Sequence, residues 1–125
     1  MFDKSLVIDI LEELLEAITK VEKRCSNINS SDDFLQTEEK QILLDSICMQ
    51  LIAIGEGVKN IDKITDKALL KNYTEIEWSN IAGMRDILSH HYFDINAETI
   101  FTVCKEHIKP LKRNIENIKK DLQGA

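Results

Sequence analysis

The chain is poor in residues that interrupt helices, with one proline and four glycines in 125 residues. Beside 43% hydrophobic and 30% charged residues, that scarcity excludes a disordered or low-complexity chain and suits a compact helical one. No uninterrupted apolar run approaches the about 20 residues that span a bilayer. Met1-Phe2-Asp3-Lys4, followed by Asp9, Glu12 and Glu13, offers neither a basic leader nor an apolar signal core. A cytoplasmic protein with no membrane partner is expected. Cysteine is also sparse: Cys25, Cys48 and Cys104 are odd in number, and each falls in a helical apolar pattern. That reads as small buried hydrophobes in a reducing compartment. No Cys-x-x-Cys or Cys/His pair has zinc-ligand spacing, so neither a metal nor another cofactor is expected. Positive charge is in deficit too, 16 Lys and Arg against 22 Asp and Glu, for a net charge of -6 and a pI near 5.1. Sequence-independent affinity for nucleic acid comes from phosphate neutralisation. Such a binder would have to confine its positive potential to one cleft.

What the sequence does contain is helical periodicity, and its length suits one domain over residues 1–125. From about Asp3 to Asn27, Val7, Leu11, Leu14, Ile18, Val21, Cys25 and Ile28 recur at three- and four-residue steps. A polar connector of Asn, Ser and Asp follows, after which Phe34 and Leu35 should fold back over the core. Thr37 can cap a second long helix whose apolar stripe is Ile42, Leu43, Ile47, Leu51, Ile54, Val58 and Ile61. Gly55 and Gly57 lie inside it, each costing about 1 kcal/mol relative to alanine, which suggests close approach by another backbone. Lys59, Lys63, Lys67 and Lys71 recur every fourth position. On a continuous helix they would make a basic ridge suited to RNA backbone, and otherwise an ordinary solvated face with Asp62 and Asp66. A short third helix is expected around Asp66 to Asn72, and Trp78 should pin the start of the next. That fourth helix runs from about Trp78 to His90 with Ile81, Met84 and Leu88 inward. Asp94 or Asn96 caps a last helix, which Pro110 should kink. The fold class is all-α, an antiparallel up-and-down bundle of four to five helices.

The residues with chemical potential concentrate in Trp78 to Asp94, WSNIAGMRDILSHHYFD. At helical pitch His90 lies roughly 140° around and about 7.5 Å along from Arg85, while Tyr92 returns to within about 20° of it. A long forked guanidinium and an imidazole so placed can converge on one phosphate if the helix loosens near Ser89. Duller roles are open to the same residues. Arg85 can pair with Asp86, and His90 and His91 can complement the dipole at a helix C-terminus. Asp86 and His90 are one turn apart, but two ligands on one helix are a weak metal signal. His107 reads as structural.

Ile81-Ala82-Gly83-Met84-Arg85-Asp86, four residues from Arg85 to His90, and the His90-His91-Tyr92 ending resemble the signature of the HEPN superfamily, and more narrowly the HepT toxins of HEPN/MNT toxin–antitoxin pairs. The resemblance extends upstream to Ile54-Gly55-Glu56-Gly57, where the family more often ends in Ala, and downstream through Tyr92-Phe93-Asp94-Ile95 to the helix carrying Pro110. It implies a HEPN-like bundle and a metal-independent endoribonuclease with Arg85 and His90 as catalytic residues, supported by Asp86, Glu56 and His91. It places Glu56 toward Arg85, where sequence alone favours an ordinary exposed position. One copy of the motif supplies one Arg/His pair, so a homodimer with the motifs in an intersubunit cleft is expected. The implied partners are RNA and a cognate MNT-type nucleotidyltransferase antitoxin, which would silence the toxin by transferring AMP to Tyr92. The rival is a non-catalytic helical module that binds a nucleotidyltransferase or a nucleotide through the same cleft.

Overall fold

A computed structural model describes residues 2–90 and 96–124. Helix α1 spans Lys4–Arg24, α2 Glu38–Ile64, α3 Trp78–His90, α4 Ala97–Thr102 and α5 Ile108–Gly124. One π-helical segment, Val103–His107, joins α4 to α5 into a nearly continuous terminal helix. No strand occurs among the described residues, and the all-α, HEPN-like bundle is as expected. Neighbouring helices run antiparallel. Arg24 near the end of α1 donates to the Ser46 carbonyl near the start of α2, whereas Gly57 late in α2 packs on Leu14. On the other side of α1, Lys112 pairs with Glu22 and Lys119 with Glu12.

The caps explain the boundaries. The Asp3 carboxylate accepts from the Leu6 amide and the Thr37 hydroxyl from the Lys40 amide, each satisfying an otherwise orphaned donor. The Asn96 side chain accepts from Glu98 and Thr99; Asp94, the other expected cap, lies outside the described residues. α1 ends at Arg24 rather than Asn27, yet Ile28 beyond it is fully buried. Phe34 is buried in a 3-10 turn, Ser31–Leu35, but Leu35 is exposed, because the tight turn aims neighbouring side chains in different directions. Ile42, assigned to the apolar stripe of α2, is also exposed, while Leu43 and Leu44 beside it pack against the core. The short helix expected over Asp66 to Asn72 reduces to a 3-10 turn, Leu70–Asn72. Before it, Asp66 and Lys67 both adopt left-handed backbone, with φ of 52° and 60°.

The buried residues form one cluster built mainly from α1, α2 and α5, including Leu11, Ile18, Ile54, Ile61, Leu111 and Ile115. Burial pushes the Cys48 thiol up to about 11 and Cys104 to about 12, so both remain protonated. Together with Cys25 they are free and buried. Pro110 lacks an amide proton and its ring crowds the carbonyl of Glu106. The helix carries a π turn, Val103–His107, ending three residues before Pro110, and that turn shifts the register of the hydrogen bonds there. By length and composition α2 is apolar enough to cross a membrane, with a window of mean hydropathy 1.3. Its buried residues, among them Ile47, Leu51, Ile54, Val58 and Ile61, instead pack into the core, and the helix meets α1, α3 and the Phe34 turn.

Candidate functional site

Helix α3 carries the candidate residues, and α2 positions them. A Cβ built on Gly55 would stand 2.9 Å from Arg85 Cβ, 3.0 Å from the Ile81 carbonyl oxygen and 3.1 Å from the Arg85 amide nitrogen. Those distances leave no room for a side chain, so glycine lets the two backbones meet at the root of Arg85. Gly57 is different: its neighbour is the buried Leu14 side chain of α1, 2.6 Å from a built Cβ, and no backbone approaches there. At the start of α3, Trp78 is nearly buried and its indole donates to the Tyr73 carbonyl at 2.9 Å, which pins that end as expected. Two further ties hold the segment before it to α5. The Tyr73 hydroxyl donates to Asp121 at 2.6 Å, and Glu75 accepts from Arg113 and, at 2.7 Å, from Asn114. The amides and guanidinium on Glu75 hold its carboxyl below the usual range, Asn114 first and Arg113 second.

Arg85 emerges from the Gly55 contact between two carboxylates. Its Nε lies 2.7 Å from Glu56 and its Nη1 donates to Asp86 at 2.9 Å. Glu56 thus takes the orientation implied by the family resemblance. Lys59, one turn further along α2, stands 3.9 Å from Asp86. The Asp86 carboxyl is held below its ordinary value, chiefly by the Arg85 hydrogen bond and next by the charge of Lys59, with the imidazole of His90 adding least. These pairs are half exposed, and pairs of that kind contribute only about 0–1 kcal/mol to stability. Their consequence is therefore positional: they orient the guanidinium and leave its remaining N–H groups for an incoming anion.

His90 occupies the last turn of α3 and is exposed, so its imidazole is open to solvent at the helix C-terminus. His91 and Tyr92 lie outside the described residues. His107, expected to be structural, is exposed at the end of the π turn. Among the described residues no group of three or more His, Cys, Asp or Glu is arranged to hold a metal. A hollow of about 290 Å³ opens on Arg85, bounded by Glu56, Lys59, Asn60 and Lys63. The sequence did not single out Lys59 as a partner of Asp86. The signal was present, since Glu56 and Lys59 are three residues apart on one helix and meet Arg85 and Asp86, adjacent on the next. Gly83, inside α3, has open space around a built Cβ and no neighbour within 4 Å. Its helical cost of about 1 kcal/mol relative to alanine is used by no contact among the described residues.

The antiparallel helical bundle thus presents Arg85 between two carboxylates and an exposed His90 five residues further along the same helix. The family model described as Ribonuclease HepT-like matches residues 14–118, and the chain belongs to that family. A Methanocaldococcus jannaschii protein named as a candidate RNase is 31% identical over 121 residues, covering 97% of this chain and 90% of its own. A Thermococcus cleftensis protein named "Probable ribonuclease HepT" is 33% identical over 112 residues, 90% of this chain and 94% of its own. A third relative, named as a candidate RNase in Caldanaerobacter subterraneus, is 31% identical over 108 residues, 86% of this chain and 89% of its own. No solved structure matches.

Proposed function

We propose that the chain, one HEPN-like domain acting in the cytoplasm, is a metal-independent endoribonuclease toxin that works as a homodimer. The observation that carries this reading is the Arg85 guanidinium held by Glu56 and Asp86 on the helix that ends in His90. In the reaction a ribose 2'-oxygen bonds to the adjacent phosphorus and the bond from phosphorus to the 5'-oxygen breaks. One imidazole takes the 2'-hydroxyl proton, and a second, protonated, delivers a proton to the departing 5'-oxygen. Arg85 donates two parallel hydrogen bonds to the phosphate as charge builds on it, leaving Glu56 and Asp86 to orient it from behind. The products are a 2',3'-cyclic phosphate and a 5'-hydroxyl. His91, adjacent in sequence, supports His90.

Two imidazoles call for two chains, since each contributes one His90. Exposed apolar residues support a self-complementary face beside the site. Ile42 and Met49 of α2 are about 60% exposed and stand fourteen and seven residues before Glu56, so all three share one face. Ile87, equally exposed, lies on α3 between Arg85 and His90. A cognate MNT-type nucleotidyltransferase would neutralise the toxin by transferring AMP to Tyr92, two residues past His90, where an anionic nucleotide would compete for the phosphate position.

The test is RNA cleavage by purified dimer in EDTA, after intact mass confirms an unmodified Tyr92, beside Arg85→Ala and His90→Ala. Cleavage leaving 2',3'-cyclic ends is expected, with a loss of about 10³-fold in each variant and an unchanged circular dichroism spectrum. Folded, unmodified dimer that cleaves no RNA overturns the reading and favours a non-catalytic module that binds the nucleotidyltransferase or a nucleotide.

A further inference from the structure

The lysine ridge does not exist as a helical stripe, because α2 stops at Ile64. Three of its members nevertheless meet in space. Lys59, Lys63 and Lys67 wall a groove of about 610 Å³ between the end of α2 and the start of α3. Lys59 and Lys63 also border the smaller hollow that opens on Arg85, so the two concavities adjoin and share those side chains. Lys67 reaches the groove through unfavourable backbone. It and Asp66 are consecutive left-handed residues, neither of them glycine, and the Lys67 amide turns back to donate to the Asp62 carbonyl at 2.8 Å. The floor is made of Ser79, Ala82 and Gly83, and the space above Gly83 is open. A groove with a minimal floor, lysines on its wall and an arginine at its end admits a polyanionic chain lying close to α3.

Three carboxylates, Asp62, Asp66 and Asp86, line the same groove. They cancel the lysines in sum, which agrees with the acidic whole, and they make the groove selective. An RNA strand offers phosphate oxygens to ammonium groups and the amino donors of its bases to carboxylates, whereas a bare anion satisfies only half of that lining.

We infer that this groove seats the single-stranded RNA segment next to the phosphate held by Arg85, with Lys59 and Lys63 on successive phosphates and the strand passing over Gly83. The inference rests on the ribonuclease reading and is tested without cleavage. The probe is a fluorescent 2'-O-methyl RNA of about 12 nucleotides, which lacks the nucleophile the reaction needs, titrated by anisotropy across a salt series. Lys59→Gln/Lys63→Gln should weaken binding about tenfold and lower the salt slope by about 1.4, the value for two phosphate contacts on a single strand. Lys20→Gln/Lys120→Gln, an equal charge change outside the groove, should shift neither. Gly83→Ala should raise the Tm, since the helix gains a better former, and still lose affinity several-fold as the methyl fills the strand's path. Unchanged affinity and slope in the lysine pair, or no binding by the wild type, overturns the groove assignment. Wild-type RNA affinity in Gly83→Ala would overturn the path over Gly83. If the oligonucleotide results hold while no RNA is cleaved, the groove stands and the catalytic reading alone falls.

Discussion

Helices α1 and α3 lie on opposite sides of α2 and are built to different standards. α1 buries Val7, Leu11, Leu14, Ala17, Ile18 and Val21 against both α2 and α5. α3 buries only Trp78 and Leu88 and rests chiefly on α2. α1 can therefore be held by hydrophobic area alone, whereas α3 depends on point attachments: the Gly55 contact, the Trp78 indole, and the Tyr73 and Glu75 ties to α5. A helix with little buried area keeps most of its side chains in water, where Arg85, Asp86 and His90 have to be in order to act.

The largest effect separates the two sides by stability. Ile54 is fully buried in α2, and Ile54→Ala should cost about 3 kcal/mol through lost transfer energy and the cavity left behind. Denaturant titration should show that loss as a lower midpoint with an unchanged slope. Ile87→Ala on α3 should leave the midpoint of the isolated protomer nearly where it was, because its side chain is 61% exposed. A loss at Ile87 comparable to that at Ile54 would mean that α3 is not the lightly held element described here.

The same contrast governed what could be read in the sequence. Burial every three or four residues made α1, α2 and the terminal helix legible, since a continuous stripe reports a neighbour along its whole length. Errors fell where the stripe ends. Leu35 and Ile42 are apolar but more than half exposed, and the pattern carries no sign of that. The site was legible as a spacing, Arg85 to His90, and the glycine cost correctly announced a backbone contact at Gly55. At Gly57 the same argument named the wrong cause, because a single-chain pattern cannot tell an approaching backbone from a Leu14 side chain. The lysine ridge was lost and recovered in another form, since two left-handed residues redirected Lys67 in a way that no periodicity encodes.

A sharper probe couples the two sides at their junction. Gly55→Ala gains about 1 kcal/mol of helix propensity. It must also force its methyl against the Ile81 carbonyl and the Arg85 backbone, overpacking that costs about 1–3 kcal/mol. The net stability change is expected to be about 1 kcal/mol unfavourable. RNA cleavage should fall by more than that implies, at least about tenfold, because the displaced atoms root the Arg85 side chain. Gly57→Ala is the control: only the Leu14 side chain has to yield, so any stability change should leave cleavage per folded molecule unaltered. Equal losses of activity in both would show that α2 as a whole, and not its contact with α3, sets the site.

The smallest effect tests the ties at the start of α3. Tyr73→Phe removes the hydroxyl that donates to Asp121 and should cost about 1 kcal/mol. Its pH dependence identifies the cause. Burial first and the Asp121 hydrogen bond second push the Tyr73 phenol from 10.0 up to about 12. A group whose folded value is raised contributes stability fully below its unfolded value and loses it as pH rises toward the folded one. The Tm gap between wild type and Tyr73→Phe should therefore be constant through neutral pH and close between about pH 10 and 12. Glu75 works at the other end of the scale, because its folded value is depressed. Its contribution is present above the ordinary carboxylate value of 4.5 and fades as pH falls through the lower folded one. A wild-type/Tyr73→Phe gap that stays unchanged from about pH 10 to pH 12 would show that the phenol proton given to Asp121 stabilises nothing, and the tyrosine hydroxyl would no longer be one of the attachments that hold α3.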